Sequence, residues 1–298
     1  MNTTSEYCSA FNKDSSETVA YNNPRFPAYV RQGILSRYPD YSGISHWHED
    51  LEFILVKKGR MTYNVNGELI ELCENSGIMV NSRQLHFGFS ASCEECEFIC
   101  ILLSMELLCA NKWFLENYVE HITENPYLPY LYLEDSGWKK DILRKLDQIY
   151  GFNKDPIEAL AYFEVIESFV CIMKLLYQNL NIEEHSPKTE TSELSSLRDM
   201  ITFIEKNFTH KLRLSDIALA GACCNSRCCM LFKKYLRDTP IRYVTKLRLR
   251  KSLADLLDSD ACITDIAYEY GFCGASYYCE SFHKYYGMSP LQYKKRTI

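Results

Sequence analysis

The segment His46-Trp47-His48-Glu49-Asp50-Leu51-Glu52 concentrates imidazoles and carboxylates in seven residues. Imidazoles and a carboxylate directed into one cavity are the donor types of a divalent transition-metal site. The same groups could hydrogen-bond the hydroxyls of a sugar or another small polar ligand, with Trp47 stacking on the ring. They could also be paired polar residues of a core that binds nothing. All three readings are open at this level. Two cysteine groups offer weaker chemistry. Cys93-Glu-Glu-Cys96, with Cys100 beyond it, has a metal or redox spacing, but acidic neighbours disfavour a thiolate and no second pair follows. Cys223, Cys224, Cys228 and Cys229 crowd together, with Cys224 and Cys228 one helical turn apart, the spacing a thiol- or metal-responsive switch would use. Structural or incidental use is the stronger expectation for the first group, and small apolar packing for the second. No Gly-rich phosphate loop, hydrolase elbow or zinc-protease helix occurs.

The chain that must position these residues has 298 residues, 47% of them hydrophobic and 24% charged, which is a globular balance with room for two domains. No run of 18 apolar residues occurs, so no membrane span is expected. The first 20 residues are polar and lack the basic-then-apolar order of a secretion signal. A cytoplasmic protein with reduced thiols is therefore expected despite 14 cysteines. Charge is divided unevenly. From Ser195 onward 17 basic residues face 10 acidic ones, a balance of +7, so with -6 overall the rest carries -13. A basic C-terminal half points to a polyanion partner.

Hydrophobic patterning divides the chain further. Short β-rich runs occur at Leu51–Val56, Met61–Val65, Leu69–Leu72, Ile78–Val80, Leu85–Phe89 and Phe98–Leu103, with Asn66-Gly67 as a type I′ hairpin signal. They predict a small barrel or sandwich. From Met105 the period is helical. Ile142, Leu143, Leu146, Ile149 and Tyr150 form one stripe. Ala159, Phe163, Ile166, Val170, Met173 and Tyr177 form another, on a helix starting near Pro156. Leu160, Phe169 and Leu176 lie off that stripe. This helix either packs two faces within the chain or makes a homodimer contact between antiparallel helices. Residues 181–194 read as a polar linker.

Beyond the linker the chain repeats itself. Leu214-Ser-Asp-Ile-Ala218 recurs as Ile263-Thr-Asp-Ile-Ala267. Cys229, Phe232, Lys234, Tyr235, Pro240 and Tyr243 recur 50 residues later as Cys279, Phe282, Lys284, Tyr285, Pro290 and Tyr293. The offset grows from 49 to 50 between the two sets, so the second copy has one extra turn residue near Phe272-Cys273-Gly274. Each copy reads as helix, short turn, helix, at about 214–235 and 263–286. A helix from Pro240 to about Leu257 joins the copies. Two recognition helices held about one DNA turn apart, ~34 Å, could enter successive major grooves.

With those residues in view, 195–298 resembles the DNA-binding domain of the AraC-type transcriptional regulators. The likeness rests on Asp265-Ile-Ala-Tyr-Glu-Tyr-Gly-Phe272, Phe282-His-Lys-Tyr-Tyr-Gly-Met-Ser-Pro290 and Tyr293, and in the first copy on Leu214–Ala218 and Phe232-Lys-Lys-Tyr235. Likewise, His46-x-His48 followed by Glu52, seven positions before Gly59, resembles the first cupin motif. His86 lies where the second motif supplies another histidine, although Asn81 and Arg83 replace its usual Pro and Gly. The resemblance implies a cupin-like effector barrel with His46, Trp47, His48, Glu52 and His86 as effector candidates. His46, His48, Glu52 and His86 would be the ligands of a divalent metal, if one is bound.

The same resemblance implies base-reading positions at Ser226, Cys229 and Met230, with Arg227 beside them, and at Ser276, Tyr277 and Glu280. Glu280 departs from the basic residue usual in the family. It could accept from a cytosine amino group or pair with Lys284, and self-pairing is the favoured expectation. Ala222 stands where the first turn usually has Gly. Phosphate contacts are expected from Lys233, Lys234, Lys246, Arg248, Lys284, Lys294, Lys295 and Arg296.

The predicted fold is an α+β multidomain chain. It comprises an N-terminal tail (1–24), a cupin-like barrel (25–104), a helical dimerisation segment (105–180), the linker, and an all-α double helix-turn-helix domain (195–298). The predicted function is a sequence-specific transcription regulator, not an enzyme, that senses a small molecule, with a carbohydrate or related polar metabolite favoured. Double-stranded promoter DNA, a homodimer partner and RNA polymerase are the implied partners. The alternative is a metal-dependent cupin enzyme with an appended DNA-binding tail.

Overall fold

The computed structural model describes residues 10–11, 16–108, 111–152, 159–180, 192–258 and 262–297. Most of the predicted linker and the expected helix start at Pro156 lie outside them. The chain forms two compact units, residues 19–189 and residues 190–298 with 1–18. Among the described residues no helix is long and apolar enough to cross a membrane. Strands β1 (Ala10–Phe11) and β2 (Glu17–Thr18) pair with each other near the N-terminus.

Seven antiparallel strands build the first unit: β3 (Ala28–Ile34), β4 (Leu51–Val65), β5 (Glu68–Cys73), β6 (Gly77–Val80), β7 (His86–Phe89), β8 (Cys96–Leu103) and β9 (Tyr130–Leu133). Their order is β3-β8-β4-β6-β9, with β5 and β7 also pairing with β4. Two expected runs, Leu51–Val56 and Met61–Val65, are thus one 15-residue strand. Its register shifts between Val56 and Lys58. Before the shift β4 pairs with β6 and β8; beyond it, β8 continues only to Gly59 and the partners become β5 and β7. One strand therefore serves both halves of the sheet and curls it. Gly59, at φ +80°, follows the shift, and a Cβ there would collide with the Glu95 carbonyl. Asn66 and Gly67 at φ 50° and 85° close the predicted hairpin between β4 and β5.

Alternation along β4 separates two cores. Ile54, Val56, Met61, Tyr63 and Val65 face the barrel interior with Ile78, Val80 and Phe98. Phe53, Leu55, Met79, Ile99 and Ile101 face the other way, against α3 (Gly137–Phe152) and α4 (Ala159–Asn179). Burial on both faces explains why Leu51–Val56 reads as a nearly unbroken apolar run.

The segment after Met105 is not wholly helical, because β9 adds to the sheet beside β6. Short helices α1 (Lys112–Phe114) and α2 (Glu120–Thr123) precede it. The stripe of α3 buries as expected through Ile142, Leu143, Leu146 and Ile149. That of α4 is split: Met173 of the expected stripe is buried with Val165, Phe169, Ile172 and Leu176, whereas Phe163, Val170 and Tyr177 are exposed, as is Leu160 off the stripe. Both faces of α4 are apolar at helical spacing, so periodicity could not choose between them.

The second unit is helical: α5 (Ser192–Asn207), α6 (Leu214–Ala220), α7 (Asn225–Leu236), α8 (Pro240–Lys251), α9 (Leu253–Asp258), α10 (Ile263–Glu269), α11 (Ala275–Tyr286) and α12 (Pro290–Thr297). Helix α5 starts inside the predicted linker. The expected connecting helix breaks at Ser252 into α8 and α9. The sequence repeat is also a packing repeat. Ile217 and Ala218 are buried as are Ile266 and Ala267. The Phe232–Tyr243 rings lie 5.6 Å apart at 75°, and Phe282–Tyr293 5.5 Å apart at 79°. Even the caps recur: Thr239 Oγ1 accepts from Arg242 N, and Ser289 Oγ from Gln292 N, each at 3.3 Å ahead of a proline at the first helical position.

Candidate functional site

In the barrel, His46, His48, Glu52 and His86 bring one ligand atom each to within 4.8 Å of one another. His46 and His86 form a bridge between neighbouring extended segments, and Glu52 shares the interior face of β4 with Ile54 and Val56. His46 is half-buried; the other three are buried. All three imidazoles are oriented in the same way. Their Nδ1 atoms face the carbonyls of Ile44 (2.7 Å), Asp50 (3.1 Å) and Gln84 (2.8 Å) respectively. A carbonyl can only accept, so each Nδ1 carries a proton and each ring turns its Nε2 inward.

The Nε2 atoms of His48 and His86 lie 3.5 and 3.4 Å from Glu52 Oε2. That of His86 has no hydrogen-bond partner. Without a proton on them, these nitrogens would set lone pairs against the carboxylate and repel it, so the cluster needs a cation. A proton or a metal ion meets that need, and three nitrogens with one oxygen form a four-donor metal set. Burial alone would raise the Glu52 carboxyl; the facing imidazoles, His86 above all, outweigh it and hold it well below the usual range.

Two neighbours complete the site that sequence reasoning did not select. Tyr63 donates to Glu52 Oε1, and burial together with that carboxylate pushes its own hydroxyl well up. Cys100 Sγ lies 3.9 Å from Glu52 Oε2. The alternation Met61, Tyr63, Val65 contained the signal for Tyr63. Trp47 lies between two histidines of the cluster in sequence and is half-buried. The Cys93/Cys96 pair is split, with Cys93 exposed and Cys96 buried, its thiol pushed up to about 12 by burial and by Glu95 and Glu97.

In the second unit, α7 exposes Ser226, Arg227, Met230 and Lys233, half-covers Cys229, and buries Cys228, Leu231 and Phe232. Helix α11 exposes the equivalent Ser276, Tyr277, Glu280 and His283, and buries Tyr278 and Phe282. Both candidate reading faces are therefore open. Among the basic candidates, Lys233, Lys284, Lys295 and Arg296 are exposed and Lys294 is half-buried. Three others are engaged: Lys234 with Glu193 (2.7 Å), Lys246 with Asp238 (2.9 Å), and Arg248 with the Phe208 and His210 carbonyls (2.7 Å each). Arg248 and Lys246 also sit over the Phe272 and Tyr285 rings of the second copy. With Ser252 Oγ against Tyr278 Oη at 3.0 Å, they bind the α8 region to that copy.

The expected Glu280–Lys284 pair is not formed; among the described residues Glu280 has no ion-pair or hydrogen-bond partner. At the first turn Ala222 takes φ 50°, the left-handed conformation that its counterpart Gly271 takes at 79°. A Cβ at Gly271 would approach the Thr209 and Phe208 carbonyls at 2.6 and 2.8 Å, while Ala222 is exposed and its Cβ is accommodated.

A barrel with an inward donor cluster and a duplicated helix-turn-helix unit define a ligand-responsive DNA-binding regulator. Comparisons agree. A helix-turn-helix domain model matches residues 223–296 and a cupin domain model residues 37–102. A helix-turn-helix-type transcriptional regulator of Bacillus subtilis, YdeC, is 31% identical over 254 residues, covering 84% of this chain and 85% of that one. The melibiose operon regulatory protein of Escherichia coli K12 is 24% identical over 311 residues, covering 99% and 96%. Among solved structures, fatty-acid-bound ToxT from Vibrio cholerae aligns over 93% of this chain and 97% of that one, at 14% identity and a TM-score of 0.44. The chain belongs to the AraC family of transcriptional regulators, DNA-binding proteins with an N-terminal small-molecule effector domain.

Proposed function

We propose that this regulator holds a divalent transition-metal ion between His46, His48, Glu52 and His86 and senses a small polar metabolite there. One observation carries the reading: three imidazoles, each fixed through Nδ1 on a carbonyl, converge with a buried carboxylate within 4.8 Å. That spacing suits an ion among the donors rather than a sugar ring. The half-buried His46 lies on the side where a metabolite would reach the site. A carbohydrate fits the name of the melibiose operon regulatory protein. The ion supplies a positive charge that oxygen donors of such a ligand can approach. Tyr63 orients Glu52, and the three carbonyls fix the imidazoles.

The same reading assigns the DNA face to Ser226, Arg227, Cys229 and Met230 on α7 and to Ser276, Tyr277 and Glu280 on α11. Lys233, Lys284, Lys294, Lys295 and Arg296 would meet phosphates, whereas Lys234, Lys246 and Arg248 support the fold. The protein acts in the cytoplasm on promoter DNA, has no turnover of its own, and contacts RNA polymerase when it activates.

It works as a homodimer. Leu160, Phe163, Glu167, Val170, Lys174 and Tyr177 are all exposed and alternate three and four apart along α4, the spacing of a coiled-coil seam. A parallel pair would set Glu167 on Glu167 and Lys174 on Lys174. An antiparallel pair brings unlike charges together, which favours that orientation.

The discriminating test is His48→Ala in the full chain. The regulator reading expects metal and effector response to be lost while DNA binding persists. Loss of a measurable turnover on a candidate metabolite would instead support an enzyme.

A further inference from the structure

We infer that Glu280 is a specificity-determining residue that reads a cytosine, so that the second helix-turn-helix copy selects a C·G pair by its exocyclic amino group. The inference rests on the DNA-binding reading above and extends it to one base. It begins from the inequality of the two copies. Equivalent positions on the two recognition helices are Ser226 and Ser276, Arg227 and Tyr277, Met230 and Glu280, and Lys233 and His283. At these four positions the first helix offers two full cations, and the second offers a carboxylate at its centre.

That carboxylate is exposed and makes no bond within the described protein. Lys284, one turn further on and well placed for an i,i+4 pair, leaves it alone. Position along α11 separates their tasks. The N-terminal part of a recognition helix approaches base edges, and its C-terminal turn lies nearer the backbone. Ser276, Tyr277 and Glu280 occupy the first half of α11, whereas Lys284 belongs to its last turn. The lysine is then needed at a phosphate, and the carboxylate is left facing the groove floor.

Phosphates repel a carboxylate, so Glu280 can enter the groove at no large loss only where it accepts a hydrogen bond. Cytosine N4 offers a donor in the major groove, while G N7 and O6 and T O4 are acceptors that repel it. Adenine N6 also donates, but beside N7, a donor–acceptor pattern that suits an amide better than a carboxylate. The buried Tyr278 and Phe282 on either side hold the helix surface in place, so Glu280 cannot rotate away with it.

The experiment is selection of binding sites from a randomised duplex library by the full-length chain. Wild type is compared with Glu280→Gln and Glu280→Ala. The wild-type consensus should contain one invariant cytosine in the segment protected by the second copy. Glu280→Gln should convert that position to adenine and leave the rest unchanged. Glu280→Ala should relax that position alone, by about 5- to 150-fold in discrimination, the equivalent of 1–3 kcal/mol for one good base contact. An identical consensus for all three proteins, or a uniform rise in affinity for every sequence on removing the charge, would overturn the inference. Failure of the wild-type chain to enrich any sequence would refute the DNA-binding reading itself, and this inference with it.

Discussion

Replacing Glu52 with Gln separates metal binding from folding. Gln keeps the shape and the Oε1 acceptor that Tyr63 uses. In place of Oε2 it presents an amide donor where two imidazole Nε2 atoms lie 3.4 and 3.5 Å away. The repulsion among lone pairs becomes hydrogen bonding, so the metal-free variant should be at least as stable as metal-free wild type. With metal the order reverses. An ion at 100 times its Kd stabilises the wild-type unit by about 2.7 kcal/mol. For a unit of about 170 residues, unfolding entropy near 2.1 cal/mol/K per residue turns that into a rise of about 8 °C. Loss of a charged ligand should weaken binding at least ~100-fold, leaving about 1 °C. All three tryptophans, Trp47, Trp113 and Trp138, lie in residues 19–189, so their emission follows this unit in the intact chain. Melting would be recorded after chelation and again with zinc, nickel, cobalt, manganese or ferrous iron. A full shift retained by Glu52→Gln, or none with any metal in wild type, would refute the reasoning.

Three further outcomes are expected. Glu167→Lys should dissociate the dimer in sedimentation velocity, and the double exchange with Lys174→Glu should restore it, because only an antiparallel seam sets these residues against each other. Ala222→Gly should raise the stability of the helical unit by about 1 kcal/mol in denaturant titration, since it relieves a left-handed alanine in an exposed turn. Burial raises the Asp50 carboxyl, which accepts from the Tyr21 hydroxyl at 3.1 Å. Its folded value exceeds its unfolded one, so it adds stability in acid that is lost as pH rises through the folded value. Asp50→Asn should therefore remove a decline in stability above about pH 4.

What could be read from residues alone follows from where the physics is local. The repeat, the hairpin at Asn66-Gly67 and the α3 stripe depend on neighbours in sequence, and each appears in the fold as expected. The face of α4 did not follow, because both of its sides are apolar and only the sheet determines which is covered. Tyr130–Leu133 was missed as a strand because four residues inside a helical region carry too little period. The donor set was visible as residue types, but its meaning depended on backbone carbonyls at Ile44, Asp50 and Gln84 that no motif records. Likewise, Lys234, Lys246 and Arg248 look like any surface cations until Glu193, Asp238 and the Phe208 and His210 carbonyls engage them.

The central claim is that both helix-turn-helix copies enter one duplex together. A hydroxyl-radical footprint of the full-length protein on a site it selects tests this most directly. Two protected patches on one face of the DNA, centred about 10 base pairs apart for each protomer, are predicted. Arg227→Ala should weaken one patch and Tyr277→Ala the other. A single patch one groove wide, unchanged by either substitution, would contradict the account.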